Sequence, residues 1–467
     1  MADNQFEVGE NRGSNGFFQS LNLLSIHEQS RQITKPGEGS TTAFTSTSVR
    51  PTGDAVADVL DFSVPIMQDE SCLVVDSEPD SFKPANRYEA AVSAQVENLD
   101  SESEFTAFTR NALGRDADRF PPVRNEREGT TTYTIEQFGL TDRDLEAGEN
   151  TAEHYKRLVS ITVPDAADSL DDCKFEYQDR QEIREEEFND LISRSRVRQV
   201  GLSFTGPGQS RLPNSDDISF YTHGIRTAAV SSDFQALALQ LTSGHSVVNV
   251  DWKSTPPSEE KLGLCDAYNA ERNGAAESYH RFEPALDAAI NLIGAENTNM
   301  IAFSHGAMFD TRYLQHRKAS GAHQLNQVIF SHPDVPISTM PQPGPDGKVA
   351  VADQLYANVA RDTFVIGSPV DLAMTGAAYN DCPPSQSEGW VEQLREKQRE
   401  MAKHARIGNG GKVSRDLVEG SGGKYIMETI PTDKKDATNH FINMSVINGL
   451  VNRNGLERIS VTATASN

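Results

Sequence analysis

A doubly wound α/β architecture with a mostly parallel sheet, preceded by an accessory region and a disordered leader, is the reading that this 467-residue chain supports. Three features carry it. The chain is too long for one small core, while a single large α/β domain takes about 250 residues, so one such domain and an appendage are expected. After Gly206-Pro207-Gly208 the texture changes to short apolar runs alternating with helical periodicity, the pattern of strands joined by crossover helices. The runs are largely apolar throughout, as strands covered on both faces are.

In chain order, residues 1–53 form the leader. It is dense in Ser, Thr, Asn and Gln, and from Lys35 to Ser48 it offers almost nothing to bury, which predicts disorder. Residues 54–196 form the accessory region, read as helices and loops. Charged amphipathic stretches run from Leu145 to Val159 and from Arg180 to Ser193, and in the second Ile183, Phe188, Leu191 and Ile192 recur at helical spacing. Residues 197–467 form the main domain. Its strands are expected at Ile218 to Thr222, Val247 to Trp252, Asn299 to Phe303, Gln327 to Ser331, Thr363 to Gly367 and Tyr425 to Ile430. Its helices are expected at Ser232 to Thr242, Ala275 to Ile293, Ala307 to Arg317, Ala352 to Val359, Glu388 to Arg406 and His440 to Val451.

Composition narrows the classes of partner. A formal charge of −25 repels phosphate backbones and anionic headgroups, so nucleic acid is not an expected partner. No window approaches the roughly 18 to 20 apolar residues of a membrane span, and no basic leader precedes an apolar run. Stable membrane insertion is not expected, and the expected location is the cytoplasm of the producing cell. Cys72, Cys173, Cys265 and Cys382 lack the close spacing of a zinc site and are expected as free thiols. No His/Glu pair at metal spacing and no phosphate loop occurs, so neither metal nor cofactor is expected.

The chemistry concentrates at Met300-Ile301-Ala302-Phe303-Ser304-His305-Gly306-Ala307, where an apolar strand runs into Ser, one residue, Gly and a helix. That is the context of a nucleophile elbow: a strained turn lifts the serine hydroxyl above the sheet and requires small residues two before and two after it, here Ala302 and Gly306. An ordinary strand-to-helix turn can carry the same letters. Upstream, Phe220-Tyr221-Thr222-His223-Gly224-Ile225 closes the first good strand where a second oxyanion loop belongs, with Gly224 allowing the turn, His223 bracing it, and the backbone N–H groups of Ile225 and His305 as oxyanion donors. A base and a carboxylate should follow the serine in the order acid, then histidine. Asp371 and His440 meet that order, with Asp334 as the alternative acid. Either aspartate also suits a turn or helix cap. His305 leaves the elbow in another direction, and His323 and His332 precede the usual acid position.

The motif order from Ile218 to Leu450 resembles the bacterial α/β-hydrolase family catalogued as domain of unknown function 900. The residues carrying the resemblance are His223-Gly224, Asp251-Trp252-Lys253-Ser254, Ala302-Phe303-Ser304-His305-Gly306, Pro333-Asp334-Val335, Ser368-Pro369-Val370-Asp371, Arg406-Ile407-Gly408 and His440. Phe303 stands where the family often has His. The resemblance implies the α/β-hydrolase fold and hydrolysis of a small-molecule or lipid ester by a serine esterase or lipase-like enzyme. Two alternatives stand beside it: an exported effector, whose leader is a Sec-independent secretion address and whose accessory region meets a secretion chaperone or host protein, and a catalytically silent binding module on the same scaffold.

Overall fold

A computed structural model of the chain describes residues 42–43, 107–143, 151–167, 170–201, 217–225, 227–254, 264–344, 349–368, 371, 374, 377–378, 405–409, 412–427, 442 and 444–451. The expected leader lies almost wholly outside the described residues, as do most of the helix expected at Glu388 to Arg406 and the residue His440. In chain order the first part contains β1 (Thr42–Ala43), α1 (Ala107–Gly114), β2 (Val123–Asn125), β3 (Thr130–Thr141), β4 (Glu153–Pro164), β5 (Lys174–Tyr177), β6 (Gln181–Ile183) and α2 (Glu185–Gly201).

Strands dominate where helices and loops were expected. β3 and β4 pair antiparallel along their full length, from Thr130 opposite Pro164 to Thr141 opposite Glu153. In β4 the side chains of Tyr155, Arg157, Val159, Ile161 and Val163 are buried and those between them are half-buried, the period of 2 of a strand with one covered face. The letters disguise that period, because the inward set contains Arg157 and the outward set contains Leu158. Helix α2 does present Phe188, Leu191 and Ile192 to the core, while Ile183 belongs to β6.

The second part alternates strand and helix: β7 (Ile218–Thr222), α3 (Ala229–Ser243), β8 (Ser246–Asp251), α4 (Leu264–Ile293), β9 (Thr298–Phe303), α5 (Gly306–Ser320), β10 (Leu325–Ser331), α6 (Leu355–Val359), β11 (Ala360–Gly367), α7 (Lys412–Gly420), β12 (Lys424–Met427) and α8 (Met444–Val451). The six expected strands are all present with small shifts at their ends. Neighbours from β8 to β12 pair parallel, and β3 joins β8 in parallel through Gly139, Leu140 and Thr141. A 12-stranded sheet results, with the order β1-β5-β4-β3-β8-β7-β9-β10-β11-β12, β2 beside β3 and β6 beside β4.

Alternate residues of the central strands feed opposite cores, as the pleat requires. Phe220, Met300, Ala302, Val328 and Phe330 face a cluster that includes Phe188 of α2, Leu286 and Ile290 of α4, and Phe309 and Tyr313 of α5. Tyr221, Ile301, Ile329 and Phe364 face a second cluster with Ala236 and Leu239 of α3 and Ile447 and Leu450 of α8. Helices therefore cover both faces, which makes the architecture doubly wound and mostly parallel. No helix among the described residues is long and apolar enough to cross a membrane.

From β7 the chain steps outward to β8, returns past β7 to β9, and then proceeds the other way through β10, β11 and β12. Strand order thus reverses at β7 and β9. In open parallel sheets a crevice opens beyond the carboxyl ends of the strands at such a reversal, and ligands bind there.

Candidate active site

Ser304 sits at that reversal, between the end of β9 and the start of α5, with φ of +53°. Among the described residues only Ser304 and His332, at +46°, combine a side chain with a positive φ. Such a conformation costs about 1–3 kcal/mol and persists only where the surroundings over-determine it. Here they do. The Ser304 N–H donates to Ser331 O (3.0 Å), and its carbonyl accepts from Asp334 N (3.0 Å) and Ala307 N (3.1 Å).

The end of β7 presses against this turn. A Cβ on Gly306 would stand 2.5 Å from the carbonyl oxygens of both Thr222 and His223, so only glycine fits two residues after the serine. A Cβ on Gly224 would stand 3.0 Å from Ser304 Cβ, which puts the Gly224–Ile225 peptide beside the serine.

Beneath that peptide, His223 is fully buried and stacked on Trp252, with ring centroids 5.3 Å apart and planes 9° from parallel. Its Nδ1 donates to Gly224 O (2.7 Å), its Nε2 lies 2.9 Å from Asp251 Oδ1, and Trp252 Nε1 donates to His223 O (2.9 Å). Asp251 is held well below the usual carboxylate range: burial alone would raise it, and the Arg143 and Arg180 guanidinium groups overcome that, aided by His223.

Two histidine–aspartate pairs occupy the other side. His305 Nδ1 lies 2.9 Å from Asp334 Oδ2, without the alignment of a hydrogen bond. The His305 ring meets Tyr268 edge-on, with centroids 4.8 Å apart. Asp334 also accepts from Arg406 Nε and from the Tyr268 hydroxyl. Burial pushes the Asp334 carboxyl up, but His305 and Arg406 outweigh it and hold this group far below its ordinary value. The second pair is His332 and Asp371. Both are fully buried, with Nδ1 to Oδ2 at 2.7 Å, and Asp371 Oδ1 accepts from Met374 N (3.0 Å).

The described residues thus gather Ser304, His305, His223, Gly224, Ile225, Asp334 and Asp371 at the carboxyl ends of β7, β9, β10 and β11. The relation of His440 to Ser304 lies outside the described residues. Sequence reasoning did not single out Tyr268, passed over His332 as a partner of Asp371, and placed Arg406 only within a motif. The signal for His332 was present in Ser331-His332-Pro333-Asp334, directly after a buried strand. One trio of the described residues has metal-ligand spacing, Glu283, Asp287 and His316, but its atoms already serve one another and their neighbours: His316 Nε2 is 3.0 Å from Glu283, and Asp287 accepts from Tyr313 (2.5 Å) and Arg317 (3.0 Å).

No family model matches the chain, and no curated protein does. Solved structures similar to it include esterase E25, 11% identical over 88% of this chain and 97% of that one, with a TM-score of 0.30. The bacterial heroin esterase is 12% identical over 79% of this chain and 96% of its own, with a TM-score of 0.27. An esterase of Pyrobaculum calidifontis is 12% identical over 59% of this chain and 94% of its own, also at 0.27. At that level the likeness carries nothing about activity.

Proposed function

We propose that the chain is a serine hydrolase of ester bonds, with an α/β-hydrolase arrangement and Ser304 as nucleophile. The observation that carries this reading is the φ of +53° at Ser304, on a turn between a buried strand and a helix with Gly224 and Gly306 packed around it. A serine in that strained place, at the switch point of a parallel sheet, serves attack better than packing. In the proposed reaction His440 takes the Ser304 proton as Oγ bonds to the ester carbonyl carbon, and the N–H groups of Ile225 and His305 hold the oxyanion. The alcohol leaves with the proton from the imidazole. Water then loses a proton to the same base and attacks the acyl carbon, and the acid leaves as the imidazole returns that proton to Ser304 Oγ. Asp371 orients the base. Asp334 is the alternative acid; it already engages Arg406, Tyr268 and His305, as Asp371 engages His332.

A second reading of the base has its own support. His332 is the imidazole beside Asp371, and its strand residue Ser331 is in register with Phe303, the residue before the nucleophile. The two readings separate on variants. Ser304→Ala is expected to lower ester turnover by on the order of 10⁴ to 10⁶ and to abolish labelling by a fluorophosphonate probe. If His440 is the base, His440→Ala loses labelling and His332→Ala retains most of it; the reverse pattern assigns the role to His332. Labelling that survives in Ser304→Ala would end the proposal.

A further inference from the structure

The Ile225 N–H belongs to the peptide whose carbonyl is Gly224 O. A trans peptide is planar, with N–H and C=O pointing opposite ways, and no cis peptide occurs among the described residues. Whatever fixes Gly224 O therefore aims the Ile225 N–H. Two donors do so: His223 Nδ1 at 2.7 Å and Thr227 Oγ1 at 3.0 Å.

Both donors trace back to one guanidinium. Arg143, two residues past the end of β3 and only 12% exposed, grips Asp251 with two parallel bonds of 2.8 Å, Nε to Oδ2 and Nη2 to Oδ1. The same Oδ1 lies 2.9 Å from His223 Nε2. Nη2 also donates to Thr227 O (2.6 Å) and Nη1 to Ser254 O (2.7 Å), while Ser254 Oγ accepts from Thr227 N (3.2 Å). A single planar fork thus sets the ring of His223, the backbone of Thr227 and the loop after β8. Lysine, with one point charge, cannot reproduce that geometry.

We propose that Arg143, from the N-terminal hairpin, is a positioning residue that aims the Gly224–Ile225 peptide at the oxyanion formed on Ser304. This rests on the hydrolase reading above. Asp251 keeps Arg180 as a second cation, with Nη1 to Oδ2 at 2.5 Å, so removing Arg143 does not leave the carboxylate unpaired.

The test uses the full chain, a nitrophenyl ester and a trifluoromethyl ketone, which forms a tetrahedral adduct on an active serine. In Arg143→Met, kcat is expected to fall about 10- to 100-fold and the ketone inhibition constant to rise by a similar factor, while KM stays within about twofold, because oxyanion donors act on the tetrahedral state. Arg143→Lys should recover little. Thr227→Val, which removes one of the two donors to Gly224 O in a side chain of the same shape, should give the same signature at smaller size and serves if Arg143→Met does not fold. A labelled wild type with unchanged kcat and ketone affinity in these variants, or with a raised KM alone, would overturn this inference and leave the hydrolase reading intact. A wild type that neither turns over ester nor takes the fluorophosphonate would overturn both.

Discussion

Asp310, on the second turn of α5, is fully buried, accepts from Thr222 Oγ1 (2.9 Å), and has no partner for Oδ2 among the described residues. Burial pushes its carboxyl up to about 8, against a weaker downward pull from Thr222. The native state therefore holds a proton that the unfolded chain, near 3.8, releases. Between those two values the folded form binds more protons, so stability present at acid pH is lost as pH rises through the window. Asp310→Asn keeps the shape and the Thr222 acceptor. It should flatten this dependence, leaving Tm nearly unchanged at pH 4 and raised at pH 8 by an amount that reflects on the order of a few kcal/mol. Thermal melts at both pH values check it, and parallel curves for the two proteins would remove the assignment. At this scale the sequence was informative where chemistry is local. The strained turn at Ser304 could be read from the strand before it and the glycine after it. The position of His332 directly after a buried strand could be read as well, but not its pairing, because Asp371 comes from the loop after the next strand. Arg143 had no local signal at all, since its partners are brought to it by the parallel pairing of β3 with β8.

Among the elements, the turn from β9 into α5 is the one whose sequence and geometry agree most closely. The carbonyl oxygens of Thr222 and His223 cross the first turn of α5 where Gly306 leaves a gap. Gly306→Ala must push β7 away from the helix. A cost of about 1–3 kcal/mol is expected for such overpacking. Tm should drop by about 1 °C for each kcal/mol in a chain of this size, and ester turnover should fall at least about tenfold because Gly224 moves with β7. Calorimetry and steady-state kinetics on the same preparation would show both losses; an alanine variant with wild-type values of each would mean that the two elements are not in firm contact. The strands β7 to β11 were legible because largely apolar runs mark coverage on both faces. The hairpin of β3 and β4 was not, since the buried guanidinium of Arg157 broke the alternation that a one-sided strand normally displays. That arginine is inside because Asp233 is inside: its Nη1 reaches Asp233 Oδ2 at 2.5 Å.

Across the whole molecule, the hairpin and the main sheet share their charges. Asp233 on α3 and Asp251 at the end of β8 are both fully buried, and the cations that face them are Arg157 and Arg180 for the first and Arg143 and Arg180 for the second. All three arginines lie before residue 202. Removing the partner of a buried charge costs about 3–5 kcal/mol, and a fragment of residues 202–467 would lose every one of these partners together with the strand that covers β8. Such a fragment is expected to aggregate or to melt without a cooperative transition, whereas the full chain melts in a defined one. Circular dichroism and size-exclusion chromatography on both would decide, and a monomeric fragment melting cooperatively near the full-length Tm would refute the expectation. The wider consequence concerns inheritance. A donor segment spliced in place of residues 130–183 would have to deliver three guanidinium groups to two fixed acids, so this part of the protein is not exchanged freely and should travel through evolution with the sheet it neutralises.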